Sequence, residues 1–156
     1  HEPDLLLLDE PTAGVDPKAR RDFWPQIHAL AADCLTVLVS THYLDEAERC
    51  HRLVYISYGR LLAAGTAEEV IAHAGLLTWE LRGADLAQAA AMLAAEPSWM
   101  VVPFGAALHV SAPQGADLPA WLGQRAPQAA WRITPIATGL EDVFIALTEH
   151  AQDNFQ

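Results

Sequence analysis

Asp9 and Glu10 stand side by side after four leucines, Leu5 to Leu8, and before Pro11-Thr12. Four apolar residues bounded by polar ones are too few for a helix and suit a strand buried on both faces. Such a strand delivers the two carboxylates to its carboxyl end, where ligands bind in open α/β sheets. Mg²⁺ prefers oxygen ligands and keeps several waters, so Asp9 can hold it through a water beside nucleotide phosphates. Glu10 can then orient and deprotonate the water that attacks the terminal phosphate. Asp-Glu pairs also occur at solvated strand ends, so the pair by itself leaves that plain alternative open.

His42 narrows the choice. It follows a second β-branched, apolar run, Leu35 to Ser40, so both strands can end on the same side of one parallel sheet. An imidazole placed there can hydrogen-bond a γ-phosphate. Between the two strands, Ala13-Gly14-Val15-Asp16 forms a loop close behind the carboxylates. Gly14 permits a tight backbone path. Asp16 suits the N-cap of a helix opened by Pro17.

The elements that must position these residues follow from pattern. In the helix after Asp16, Phe23, Ile27, Leu30 and Ala31 form one apolar stripe, and Pro25 should kink the axis. A short acidic helix is expected around Asp45 to Arg49. Strands over Arg52–Ile56 and Leu61–Ala64 flank a Tyr58-Gly59 hairpin turn. Thr66-Ala67-Glu68-Glu69 is a capping box for a helix that stops at Gly75.

Near Gly75 the composition shifts toward Ala, Pro and Trp. Beyond it the pattern predicts a strand at Thr78–Arg82, a helix at Asp85–Glu96 and two strands at Trp99–Phe104 and Leu108–Ala112. A helix at Asp117–Arg125 and a strand at Trp131–Ile136 complete the series. That order, β-α-β-β-α-β, is the ferredoxin-like one. A last helix, Leu140–Glu149, presents Leu140, Val143, Phe144 and Leu147 on one face, with Thr138 and Glu141 set out as a second capping box. Trp79, Trp99, Trp121 and Trp131 are expected to pack in this half rather than to bind a ligand.

The totals bound the partners. A net charge of −11 argues against nucleic-acid binding, which needs a basic face. Cys34 and Cys50 lack metal-ligand spacing and read as free thiols, one buried and one half-buried. No apolar run approaches the roughly 20 residues that cross a bilayer, so a membrane role would pass through a partner.

Taken together, Leu5-Leu6-Leu7-Leu8-Asp9-Glu10-Pro11-Thr12, then Ala13-Gly14-Val15-Asp16-Pro17, then Ser40-Thr41-His42-Tyr43-Leu44-Asp45-Glu46-Ala47-Glu48, resemble the Walker B motif, D-loop and switch-histidine region of an ABC transporter ATPase. The likeness runs from about residue 3 to about residue 72. The second half resembles the small accessory domain of drug-exporter types, and Leu140-Glu141-Asp142-Val143-Phe144 fits the same group.

The resemblance implies a fold class and a division. Residues 1–75 would be the C-terminal part of a P-loop NTPase parallel sheet with helices, and 76–156 a ferredoxin-like α+β accessory domain with a C-terminal helix. It implies ATP and Mg²⁺ as cofactors. Asp9 would associate with Mg²⁺ through water, Glu10 would be the catalytic carboxylate, His42 would sense the γ-phosphate, and Asp16 would lie at the interface of two ATPase units. Val15 stands where leucine is usual and Ala13 where serine is usual. The implied partners are a transmembrane permease and a second ATPase domain, and the implied location is cytoplasmic, peripheral to the cell membrane.

No G-x-x-x-x-G-K-[ST] phosphate loop, glutamine loop or LSGGQ-type signature occurs in these 156 residues. The chain opens on His1 and reads as a fragment from Walker B onward. Without a backbone cradle for the β- and γ-phosphates it is expected neither to bind ATP usefully nor to hydrolyse it alone. The second half is expected to be the more independent folding unit. Two other readings stand beside an exporter subunit: a non-transport ABC ATPase acting on DNA or the ribosome, and a regulatory or dimerisation module without activity of its own.

Overall fold

The structure, a computed structural model, describes residues 3–152, and the side chains of residues 3–148. It is mixed α/β and divides into two compact units, residues 1–51 and 52–156.

The first unit runs β1 (Leu5–Asp9), α1 (Pro17–Ala32), β2 (Thr36–Ser40) and α2 (Leu44–Ala47). β1 and β2 pair in parallel, with Leu5 opposite Thr36 and Asp9 opposite Ser40. Parallel strands need a crossover, and α1 supplies it. The Asp16 side chain caps α1 by accepting from the Lys18 and Ala19 N–H groups at 3.0 and 3.1 Å. The helix continues through Pro25. It closes in a Schellman arrangement: Cys34 N–H donates to Ala31 O and Leu35 N–H to Leu30 O, both at 3.2 Å. Cys34 therefore takes a left-handed φ of 67°.

Three expectations for this unit are corrected. β1 is not buried on both faces: Leu5 and Leu7 are 51% and 64% exposed, and Leu38 on β2 is 62% exposed. Each strand has a single partner, and only the alternate residues Leu6, Leu8, Val37 and Val39 are half-covered. The buried face of α1 is Trp24 and Ile27, while Leu30 is exposed, which shifts the stripe. Cys34 is exposed rather than buried, because the helix-ending turn carries it outward; Cys50 is half-buried, and both thiols are free.

The second unit begins with an antiparallel hairpin, β3 (Leu53–Ser57) and β4 (Arg60–Gly65). Tyr58 and Gly59 make its turn with φ of 49° and 70°, the positive pair that a tight hairpin turn of matching twist requires. α3 (Ala67–Ala74) opens on the full Thr66/Glu69 capping box and ends at Gly75 in the left-handed region. There follow β5 (Leu76–Arg82), α4 (Leu86–Ala94), β6 (Met100–Phe104), β7 (Ala107–Pro113), α5 (Leu118–Arg125), β8 (Arg132–Ile136) and α6 (Leu140–Gln152).

β5 to β8 form one antiparallel sheet in the order β6-β7-β5-β8. Pro103 and Pro135 fall on its two edge strands, where a missing N–H costs no internal ladder bond. Leu81 and Val110 from the central strands meet Ala89 and Leu93 of α4 and Leu118 and Leu122 of α5 in a buried core. Trp79 and Trp99 are buried in it, and Trp121 and Trp131 pack against it.

The compact units part at His51/Arg52, whereas the sequence shifts composition near Gly75. The hairpin and α3 belong by contact to the second unit: Tyr55 stacks on Phe144 at 4.3 Å and its hydroxyl bonds Thr148 at 2.8 Å, while α3 packs on α6. The Thr138/Glu141 capping box does not form. Thr138 instead shares its hydroxyl with Thr78 at 2.9 Å and with Leu76 O at 3.3 Å, and Asp142 reaches back to the Gly139 N–H at 2.9 Å. A hydroxyl chain on the sheet, continued by Ser111 at 2.9 Å from Thr78, wins the threonine away from the helix end.

Candidate functional site

The parallel register sets the site. Because Asp9 lies opposite Ser40, the chain segments leaving β1 and β2 emerge together. The Ser40 hydroxyl donates to Asp9 Oδ1. Glu10 turns back with a φ of 42°, and its N–H donates to Ser40 O at 3.0 Å and to Ser40 Oγ at 3.2 Å. A non-glycine residue in that region is strained, and such strain persists where surrounding bonds over-determine it. The turn aims Glu10 at the second loop: its Oε1 is 3.0 Å from His42 Nδ1, with the two side chains 47% and 56% exposed. Three of the four residues singled out from sequence are thus brought together. Asp16 is engaged with the N-terminus of its own helix.

Beneath this exposed pair is a polar cluster that the sequence did not reveal. Glu46 of α2 is fully buried. Its Oε1 accepts from Thr12 Oγ1 at 2.7 Å and from Arg20 Nε at 2.6 Å, and its Oε2 accepts from Thr41 Oγ1 at 2.8 Å. Arg20 also reaches Asp45 at 2.9 and 3.1 Å and lies 4.0 Å over the Tyr43 ring. Burial pushes the Glu46 carboxyl up, but the hydrogen bonds from Thr12, Thr41 and Arg20, with Arg20's charge, outweigh it and hold the carboxyl below its ordinary range. For Arg20, partial burial opposes the charge, yet the bond to Glu46 and the charges of Asp45 and Glu46 raise it. Asp45, Glu46 and Glu48 look alike in sequence; only the fold selects Glu46 for burial.

Among the described residues no three His, Cys, Asp or Glu side chains gather as a metal cage. Asp9 offers a carboxylate whose orientation a serine hydroxyl fixes. That oxygen-only donor fits Mg²⁺, which is ordinarily held by one or two carboxylates, waters and substrate phosphates rather than by a protein cage. Glu10 offers an exposed carboxylate beside an imidazole, a pair able to accept and hold a proton from water.

The architecture is therefore an α/β protein with a carboxylate pair and a histidine at adjacent parallel strand ends. No family model matches the chain. It is 36% identical over 157 residues to the Nod factor export ATP-binding protein I of Burkholderia pseudomallei (strain 1710b), covering 95% of this chain and 48% of that protein. Against the protein of the same name from Ralstonia nicotianae it is 37% identical over 153 residues, covering 95% and 47%. Against the probable multidrug ABC transporter ATP-binding protein YbhF of Escherichia coli (strain K12) it is 49% identical over 73 residues, covering 47% of this chain and 13% of that protein. The chain is a homologue of ABC transporter ATP-binding proteins. It spans about half the length of the curated Nod factor export relatives it matches.

Proposed function

We propose that the chain is the C-terminal part of the ATP-binding and ATP-hydrolysing subunit of an ABC exporter. The observation that carries this reading is the 3.0 Å approach of His42 to Glu10 at the carboxyl ends of two parallel strands. In it, Glu10 takes the proton of the attacking water, His42 holds Glu10 and meets the γ-phosphate, and Asp9 would hold Mg²⁺. Asp16 sits on the loop that faces a second ATPase domain. Bound Mg²⁺ would supply charge neutralisation of the phosphates.

Residues 1–75 belong functionally to a P-loop NTPase sheet, and the exposed face of Leu5, Leu7 and Leu38 supports this, since a parallel sheet is ordinarily covered on both faces. Residues 76–156 serve as a ferredoxin-like accessory domain. The partners are a transmembrane permease and a second ATPase domain, placing the protein in the cytoplasm against the membrane. Among the described residues no helix is long and apolar enough to cross a membrane. An exporter is favoured over a DNA- or ribosome-directed ATPase by the net charge of −11.

These 156 residues hold no phosphate loop. The isolated chain is expected to show no saturable, Mg²⁺-dependent ATP turnover, because two carboxylates face a polyanion without an N–H cradle. In an intact protein that carries this chain behind such a loop, Glu10→Gln should retain ATP binding and lose turnover by on the order of 10²-fold or more. Turnover unchanged by Glu10→Gln would refute the assignment.

A further inference from the structure

Glu46 holds together three segments that must keep step if Glu10 and His42 are to meet. Thr12 lies on the turn after β1, two residues beyond Glu10, Arg20 lies on α1, and Thr41 immediately precedes His42. The Thr41 hydroxyl donates to Glu46 Oε2 at 2.8 Å and accepts the Tyr43 N–H at 3.1 Å, so the backbone is pinned on both sides of His42. The His42 ring lies against the Tyr43 ring at 4.0 Å, and the Arg20 guanidinium lies over Tyr43 at 4.0 Å. A continuous path thus runs from Glu46 through Arg20 and Tyr43 to His42 and Glu10.

A buried polar group needs every partner satisfied, and a network that is fully satisfied fixes one geometry. Burial of a carboxylate here is costly for stability alone, since a packed apolar side chain could fill the same volume. What a carboxylate does that an apolar residue cannot is accept from all three segments at once.

We propose that Glu46 is a positioning residue of the hydrolytic site, acting through Thr41 and Arg20 to hold His42 against Glu10. The proposal rests on the ATPase reading above. Misplacement of a reacting group by about 1 Å can cost on the order of 10²-fold in rate, while nucleotide contacts made elsewhere leave binding intact.

The test uses an intact ATPase that carries this chain, with wild type and Glu10→Gln measured first. Glu46→Gln and Thr41→Val should each lower kcat by roughly tenfold or more and keep KM for ATP within about twofold. Thr41→Ser, which keeps the hydroxyl, should restore kcat. Thr41→Val removes one partner without unburying a charge, so it guards against Glu46→Gln simply failing to fold. If both variants lower the melting temperature but leave kcat of the folded protein unchanged, or if Thr41→Ser is as slow as Thr41→Val, the positioning role is overturned. An inactive wild type, or a Glu10→Gln variant that turns over normally, overturns the underlying ATPase reading and the positioning role with it.

Discussion

The two units differ in the balance of apolar and polar side chains that they bury. In the second, Leu81, Leu93, Val110, Leu118 and Leu122 are essentially inaccessible, and helices close over an antiparallel sheet. In the first, Trp24 and Ile27 are the buried apolar side chains among the described residues, and Thr12 and Glu46 are buried as well. Apolar burial is non-directional and tolerates repacking. Buried hydrogen bonds are directional and fix loops relative to one another, as in the first unit, where a carboxylate and an imidazole meet. The site sits in the unit with the smaller apolar core, and its strand leucines remain exposed.

The largest expected contrast comes from trimming leucines in the 156-residue chain. Leu81→Ala, at a fully buried position on a central strand, should cost about 3 kcal/mol in denaturant unfolding of the second unit. Leu7→Ala, at a position 64% exposed, should change stability by no more than about 0.5 kcal/mol. Comparable losses at the two positions would erase the distinction.

Acid should separate the units next. The folded Glu46 carboxyl titrates below its ordinary, unfolded value, so its stabilisation is present above that unfolded value and is lost as pH falls through the folded one. The indole resonance of Trp24, the one tryptophan of residues 1–51, should shift in that window before those of Trp79 and Trp99 do. Glu46→Gln should flatten the early transition. Simultaneous loss of all indole signals would mean that the network does not set the acid limit of the first unit.

A smaller effect probes how much strain the first unit carries. Cys34 is exposed at φ 67°, where a side chain costs roughly 1 kcal/mol and glycine nothing. Cys34→Gly should raise the unfolding free energy of the first unit by about that amount, read as a higher denaturant midpoint, and leave the second unchanged. A lower midpoint would show that the thiol makes a contact that outweighs the strain.

Much of the local structure was legible because it is encoded within a few residues. Asp16-Pro17 marks a helix start, Thr66 to Glu69 a capping box and Tyr58-Gly59 a hairpin turn, each requiring only neighbouring atoms. Where a residue had a distant rival partner, sequence failed. Thr138 looked like a cap and bonds the sheet instead, since Thr78 and Leu76 come near only on folding. The leucines of β1 looked buried because a run of four says nothing about which faces of a sheet are covered.

The candidate site divides along the same line. The sequence alone supplied Asp9 and Glu10 at a strand end, His42 after a second strand and Asp16 at a helix start, because residue type and spacing from an apolar run carry that information. Only the tertiary structure decided that Glu10 and His42 meet at 3.0 Å, and that Glu46, rather than Asp45 or Glu48, goes inside. Register between strands 31 residues apart and the choice among like carboxylates are set by packing and hydrogen-bond satisfaction across the fold, which no local pattern encodes.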